Sequence, residues 1–414
     1  MVIFARWKTN TLTLSIKPNS LTISLQAPGG ERGSGDSQVY SFDAHGRLWT
    51  AMRAGVSYRR GLNGRVVAKW QPVPGRSELR ERRWLADDEA QALTEHARAI
   101  ANALVADLHA RKIDLPNAIP PEGLRLLDRA AAFHWASYQE DVAHYHRVYK
   151  PVGILPPDQY MAVVLQATEG CSFNACTFCT FYRDRRFLIR RPEAFREHAL
   201  AVRSFLNEGL SLRRTIFLGD ANALVIPQPR LLELLDVVHE VFDVDALGGM
   251  YAFLDGFSGE KKTQTDYAEL ARRGMQRVYI GMESGCADLL RLLNKPGAPE
   301  DAIQAVKAMK SAGLSVGLIF LLGAGGHTYA QAHVRDTIQA INQMPLDFND
   351  IIYFSELIEE EGLAYTRDAY DKKLLPLTSS ERIAQGEKIE AGLRFSPARG
   401  IPHISRYDIR EFVY

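Results

Sequence analysis

From Thr11 to Gln26, and again from Val39 to Trp70, apolar and polar residues alternate, the period that turns successive side chains to opposite faces of a strand. Turn residues interrupt the second stretch at Asp43-Ala44-His45-Gly46 and at Gly61-Leu62-Asn63-Gly64, so short antiparallel strands are predicted. Gly29-Gly30, Gly33-Ser34-Gly35 and Pro72 to Gly75 read as loops. The apolar period then lengthens. Ala86 to Lys112 is predicted helical and opens on Asp87-Asp88-Glu89, acids suited to a helix N-terminus. A second helical stretch runs from Pro121 to about Tyr149 and carries Phe133, His134, Trp135, Tyr138, His144, Tyr145, His146 and Tyr149. Such a stripe is expected to pack against the next domain rather than hold a ligand.

From Tyr160 onward the pattern changes to apolar strands alternating with amphipathic helices, the sequence sign of βαβ units and a parallel sheet. The predicted strands are Met161 to Ala167, Thr215 to Leu218, Leu247 to Phe253, Arg277 to Met282, Ser315 to Leu322 and Asp350 to Phe354. Between them lie helices at Pro192 to Glu208, Pro229 to Phe242, Gln264 to Arg273, Pro299 to Ser311 and Tyr329 to Met344. Six units are fewer than the eight of a closed TIM barrel, so the fold class is α/β, a partial (β/α)6 TIM-like barrel with a smaller N-terminal region of strands and helices. Ligands are then expected at the C-terminal ends of the strands. The expected division is an accessory region at 1–150, the barrel at 151–375 and a C-terminal helix and tail at 376–414. That last part, Thr378 to Arg394 and a tail ending in Tyr407 to Tyr414, is expected to pack on the barrel or its mouth.

Composition adds little. Of 414 residues 46% are hydrophobic and 24% charged, as in an ordinary globular protein, and fifty basic residues against forty-nine acidic leave no overall field to gather a polyanion. The first twenty residues lack the apolar core of a signal peptide and no later run is long enough to span a bilayer, so the cytoplasm is the expected location. Four cysteines are too few for a disulfide framework, and three of them fall within nine residues.

Those three are Cys171, Cys176 and Cys179, in the segment Thr168-Glu169-Gly170-Cys171-Ser172-Phe173-Asn174-Ala175-Cys176-Thr177-Phe178-Cys179, directly after the first barrel strand. Cysteine thiolates are the usual ligands of iron–sulfur clusters, and three of them leave one iron of a cubane open for chemistry. The segment resembles the cluster loop of the radical S-adenosylmethionine (radical SAM) superfamily. The spacing here, CxxxxCxxC, is one residue longer than the commonest family form, and with the aromatic Phe178 before the last cysteine it is similar to a branch whose barrel resembles the Elongator catalytic subunit. The resemblance implies a [4Fe-4S] cluster on Cys171, Cys176 and Cys179, with S-adenosylmethionine chelated at the open iron. It also implies reductive cleavage to a 5′-deoxyadenosyl radical that abstracts a substrate hydrogen, and an external electron donor of the flavodoxin or ferredoxin type.

Later strand ends match the family in order. Phe217-Leu218-Gly219-Asp220-Ala221-Asn222 resembles the glycine-containing motif for the methionine ammonium, which implies Gly219, Asp220 and Asn222 as cofactor-binding residues. Tyr279-Ile280-Gly281-Met282-Glu283-Ser284-Gly285 resembles the ribose motif, implying Glu283 and Ser284; the alternative duty for Glu283 is capping the helix near Cys286. Leu321-Leu322-Gly323-Ala324-Gly325-Gly326-His327 resembles the loop whose backbone meets adenine, implying Gly323, with Phe178 near the same ring and His327 structural.

Beyond Cys286 there is no further cysteine, so an auxiliary all-cysteine cluster cannot be built, and the first 150 residues do not alternate as a cobalamin domain would. The expected function is hydrogen abstraction from a small organic or natural-product-like substrate. A second reading makes the substrate RNA, because Arg59, Arg60, Arg65, Lys69, Arg82 and Arg83 belong to a local basic excess, although a solvated face explains it as well. A third is a non-enzymatic iron–sulfur or zinc protein, in which Cys286 or His198 would be the fourth zinc ligand. An isolated cysteine such as Cys286 is more commonly a small packing residue than a reactive one.

Overall fold

The computed structural model describes residues 1–28, 37–72, 81–255, 261–359 and 362–414. The glycine loops expected at 29–35 and most of the loop at 72–75 lie outside the described residues. Its contacts fall into two compact units: Met1–Pro151 with Ala201–Arg214 and Val413–Tyr414, and Val152–Leu200 with Thr215–Phe412.

In the first unit, β1 (Val2–Trp7), β2 (Asn10–Lys17), β3 (Ser20–Gln26), β4 (Gln38–Asp43), β5 (Leu48–Arg53), β6 (Val56–Arg60), β7 (Val66–Trp70) and β8 (Glu81–Trp84) form one antiparallel meander in chain order. The two tetrapeptide turns lie where the sequence puts them. Asp43 closes the first by accepting the amides of His45 and Arg47, both at 2.9 Å. The alternation buries Leu12, Leu14, Ile16, Leu21 and Ile23 against α1 (Asp87–His109), α2 (Pro121–Ala132) and α3 (Trp135–Val148). Glu89 reaches back to the Ala86 amide at 2.9 Å to hold the start of α1.

The stretch expected as one helix from Pro121 is two. It breaks at Phe133, and His134 caps α3 by accepting the Ser137 amide at its Nδ1 (3.2 Å). The aromatic stripe packs within this unit, on itself and on Phe205: Phe133 meets Tyr138 edge to face at 4.6 Å, and His144 meets Phe205 at 5.2 Å. Three of the basic residues considered for RNA are engaged here as well. Arg60 is buried over the Tyr138 ring, Arg65 lies 3.8 Å from the Trp84 centroid, and Arg83 pairs with Glu89 at 2.6 Å.

In the second unit, β9 (Ala162–Gln166) leads into a short ladder of β10 (Thr168–Glu169) with β11 (Leu188–Ile189), and α4 (Pro192–Leu206) begins beyond it. There follow β12 (Thr215–Gly219), α5 (Gln228–Val241), β13 (Met250–Leu254), α6 (Gln264–Arg272), β14 (Met275–Glu283), α7 (Ala287–Leu292), α8 (Pro299–Ser311), β15 (Ser315–Leu322), α9 (Gly326–Ile341), β16 (Ile351–Glu356), α10 (Ala364–Asp371), α11 (Ser379–Gly392) and β17 (His403–Tyr407). The large sheet is parallel in the order β9, β12, β13, β14, β15, β16, β17, an open partial barrel.

Six of its strands are those the sequence predicts. The seventh, β17, comes from the tail: its pattern His-Ile-Ser-Arg-Tyr is too polar to announce a strand, and it pairs in parallel with β16 from Ile351↔His403 to Ser355↔Tyr407. The third strand starts later than expected, at Met250, because Gly248 and Gly249 take φ of +62° and +88° and turn the chain first. At the N-terminal ends of the strands the Asp158 carboxylate accepts from Tyr353 (2.8 Å), Arg277 (2.9 Å) and Tyr279, closing that end with polar contacts. Among the described residues no helix is long and apolar enough to cross a membrane.

The first unit has a network of buried charges around Arg47. Arg47, 3% exposed, donates to Asp141 (2.7 Å) and to the carbonyls of Phe205 (2.8 Å) and Leu206 (3.2 Å), with Asp43 at 3.6 Å. Burial pulls its pKa down, but the two carboxylates outweigh that and raise it. Asp141→Ala is therefore expected to cost about 3–5 kcal/mol by leaving the guanidinium short of a partner; an unfolding midpoint in urea equal to that of the parent would contradict this.

Candidate active site

The segment from Gly170 to Phe187 leaves the sheet between β9 and α4 and has only turns of its own, so its backbone needs partners from elsewhere. At its base β10 pairs with β11, and Arg190 meets Glu169 at 2.7 Å. Inside it, the Arg183 guanidinium donates to the carbonyls of Cys176 (2.8 Å), Cys179 (3.2 Å) and Asn174. Asn174, at φ +48°, donates to the Tyr182 carbonyl at 2.8 Å. Asn294 holds the Ala175 carbonyl at 2.8 Å, and the Thr177 amide reaches the Leu293 carbonyl at 3.0 Å. One loop is thus pinned at six of its carbonyls or amides between Asn174 and Tyr182.

The loop forms one wall of a cavity of about 250 Å³ lined by Cys171, Cys176, Phe178 and Cys179. The other walls are strand ends: Ala221 and Asn222 after β12, Phe253 to Asp255 at β13, Gly281 and Glu283 on β14, Ile319 and Leu321 on β15, Ser355 to Ile358 at β16, and Tyr407, Ile409 and Arg410 at β17. Burial pushes the Cys176 thiol up to about 12 and raises Cys179 too, with the neighbouring cysteines adding to the effect. Among the described residues no three His, Cys, Asp or Glu side chains converge as they would on a single metal ion.

Opposite charges meet at the β14 end. A bulge between Gly281 and Glu283 shifts the register against β15, and Glu283 takes φ +58°, a strained conformation for a residue with a side chain. Its carboxylate receives Lys295 Nζ at 3.1 Å, both side chains nearly buried. Burial lowers the Lys295 pKa, yet its partners, Glu283 foremost, outweigh that and raise it. Gly281 makes the space: a Cβ there would stand 2.7 Å from the Glu283 carboxylate and 3.3 Å from Lys295. Across the cavity Asn222 donates to Ser172 (3.2 Å), whose hydroxyl meets the Asp255 carboxylate at 3.4 Å.

The structure therefore brings Cys171, Cys176, Cys179, Phe178, Asn222 and Glu283 to one cavity, and leaves Gly219, Asp220, Ser284 and Gly323 off its lining. Asp220 is turned into the protein, where its carboxylate accepts from Gln166 (2.8 Å) and the Gly170 amide (2.9 Å), with Arg185 at 3.5 Å. Burial lifts its pKa to about 6 against those partners. Gly219 sits inside the β12 pairing, opposite Gln166. The Ser284 hydroxyl meets His333 Nδ1 at 2.7 Å and accepts the Cys286 amide at 2.9 Å, so the turn into α7 is tied by Ser284 and Glu283 is released from that duty.

The glycine loop after β15 is shaped by packing. The Gly323 amide goes to Gln385 (2.8 Å), the Gly325 amide to the Tyr365 hydroxyl (2.8 Å), and a Cβ on Gly326 would fall 2.1 Å from the Leu375 carbonyl. Neither fourth zinc ligand considered above lines the cavity: His198 Nε2 accepts the Gln166 amide at 3.0 Å, and Cys286 is buried among Leu289, Leu293 and Tyr365. Sequence reading misses Arg183, Lys295, Asp255, Tyr407 and Arg410. Arg183 carried one signal, its place in an arginine-rich run directly after the last cysteine.

Residues 165–340 match the family model described as the radical SAM superfamily. An uncharacterized methyltransferase of Pyrococcus horikoshii is 24% identical over 205 residues, 47% of this chain and 41% of that protein, so the match spans less than half of that relative. Among solved structures the chain is similar to coproporphyrinogen III oxidase from Escherichia coli (13% identity, TM-score 0.40, 52% of this chain and 48% of that one). It is also similar to Streptococcus suis SuiB bound to S-adenosylmethionine (13%, 0.40, 85% and 72%) and to Methanocaldococcus infernus Elp3 (13%, 0.39, 59% and 55%).

Lys295→Met should leave the Glu283 carboxylate buried without its partner and cost about 3–5 kcal/mol, part of which the double variant with Glu283→Gln restores. Chemical denaturation of the two variants separates these outcomes; equal losses in both would mean the ion pair is not the cause.

Proposed function

The chain carries at residues 165–340 the domain of the radical SAM enzymes, and from that premise we propose that it cleaves S-adenosylmethionine reductively and abstracts hydrogen from a small organic or natural-product-like substrate. The observation that carries this reading is that all three cysteines of the CxxxxCxxC loop wall the same cavity as the strand ends of the barrel. Cys171, Cys176 and Cys179 would hold a [4Fe-4S] cluster, which when bound would supply one-electron reduction of the sulfonium of S-adenosylmethionine. The donor set fits that cofactor. Burial disfavours the thiolates of Cys176 and Cys179 in its absence, and binding a cationic cluster would offset that cost.

The remaining residues divide the cofactor's polar groups among them. Glu283, paired with Lys295, offers its carboxylate to adjacent sugar hydroxyls. With Asp220 turned inward to hold Gly170, Asp255 is the carboxylate beside the cysteine loop placed to accept from the ammonium, and Asn222 orients it through Ser172. Phe178 shields the adenine side. Leu357, Ile358, Leu363 and Ile409 leave an apolar chamber with Tyr407 and Arg410 at its edge, suited to orienting a small substrate and excluding water from a reactive radical.

Protein reconstituted anaerobically should hold about four irons per chain, and Ser at any one of the three cysteines should remove most of them. With a strong chemical reductant and S-adenosylmethionine it should release 5′-deoxyadenosine, and untargeted comparison of metabolites then seeks the substrate. Stoichiometric zinc in place of iron, or no 5′-deoxyadenosine, would sink the reading. Asp255→Asn should raise the KM for S-adenosylmethionine at least tenfold with iron retained, whereas Asp220→Asn should instead loosen the cysteine loop and lower iron retention. Cys286→Ala, a change in packed core, should keep both iron and 5′-deoxyadenosine formation near the parent values; a large loss of turnover at full iron content would move Cys286 into the site.

A further inference from the structure

Glu283 stands in a backbone conformation that a residue with a side chain does not favour, and the element that imposes it is α9. The Ser284 amide closes on the Met282 carbonyl at 2.6 Å, which makes a three-residue turn with Glu283 at its centre, φ +58°. Turns of that hand are rare and persist only where the surroundings over-determine them. Here three successive residues are tied. The Ser284 hydroxyl meets His333 Nδ1 at 2.7 Å and accepts the Cys286 amide at 2.9 Å, and the Gly285 amide goes to Thr337 Oγ1 at 3.0 Å. His333 and Thr337 lie one turn apart on α9 and, like Ser284, are 0% exposed. Gly285 permits the approach, because a Cβ there would fall 2.3 Å from the Asp336 carbonyl oxygen.

An imidazole in this place has a cost that packing does not explain. Its Nδ1 is engaged, but Nε2 is sealed from water and has no hydrogen-bond partner among the described residues. A leucine or methionine of similar bulk would fill the space without leaving a polar nitrogen unpaired. Burial lowers the pKa of the ring to about 4, so near pH 7 it is neutral and keeps one nitrogen able to accept. What the histidine has and an apolar residue lacks is the bond to Ser284. Resting on the sugar-binding role given to Glu283 above, we propose that His333 is a positioning residue for that carboxylate and, through it, for a ligand with a ribose cis-diol. It fixes the turn from the α9 side while Lys295 holds the carboxylate itself at 3.1 Å, so Glu283 is anchored at both ends. Loss of the α9 anchor lets Glu283 relax toward an ordinary right-handed or extended backbone, which swings its side chain out of place.

The test uses the full chain with His333→Leu, His333→Asn and His333→Gln; the asparagine amide reaches the place of Nδ1 and the glutamine amide that of Nε2. Hydrogen exchange on the protein before iron is loaded reads the turn alone. In His333→Leu the peptide from Glu283 to Cys286 should exchange about tenfold faster with the rest of β14 unchanged, and asparagine should restore it where glutamine does not. After anaerobic reconstitution to the parent's iron content, His333→Leu should bind S-adenosylmethionine about tenfold more weakly by calorimetry. It should also lose the parent's preference, again about tenfold, over the analogue that lacks the 2′-hydroxyl. Asparagine should recover both. A His333→Leu protein with the parent's exchange and preference would overturn the proposal, and so would an asparagine variant no better than leucine, since His333 would then serve packing alone. A parent that binds the two ligands equally, or Glu283→Ala with the parent's preference, would overturn the sugar-binding role of Glu283 and the proposal with it. The exchange result, read before any ligand is added, tells that failure from a failure of His333 to hold the turn.

Discussion

A loop without secondary structure holds its shape only where its polar backbone finds partners, and in this protein that constraint falls on the segment that carries three of the four cysteines. Between Asn174 and Tyr182 the partners are side chains, chiefly the guanidinium of Arg183, which takes three carbonyls at once. At the base the Gly170 amide is held by Asp220 from the end of β12, and Glu169 by Arg190. Together with Asn294 on the Ala175 carbonyl and the Leu293 carbonyl on the Thr177 amide, these contacts fix where Cys171, Cys176 and Cys179 stand relative to the strand ends. The cavity is therefore defined as much by two arginines and a buried aspartate as by the barrel.

The barrel contributes a different kind of order. Parallel strands end in register on one side, so short excursions after each of them converge on a common space. Glu283 shows how finely this is used. A single bulge and one left-handed residue turn its carboxylate to the cavity, Gly281 leaves the room, and Lys295 supplies the counter-charge that makes a buried carboxylate tolerable. The strain of Glu283 and the burial of its partner are costs of pre-organisation, offset by the packing around them.

How much of this could be read from the sequence follows from the range of each interaction. The cysteine motif is legible because three cysteines in nine residues are a local pattern. The six predicted strands are legible because they are short apolar runs between amphipathic helices. Which way a strand-end residue faces is not. Asp220 and Ser284 stand in the right motifs, yet one carboxylate turns inward to Gly170 and one hydroxyl turns to His333, choices set by neighbours some fifty residues away. Lys295 and Asp255 escape notice for the same reason, and β17 because an edge strand need not be apolar.

That last strand sets an order in time. Tyr407, Ile409 and Arg410 complete the cavity wall, and in chain order they come after every other residue that lines it. During synthesis the cysteine loop and the five strand ends of the other walls precede them, and the chamber lacks its wall beside β16 until β17 pairs. A growing chain thus has its cysteines long before it has the wall that covers them. The tail that looks like an appendage in the sequence decides when the chamber closes.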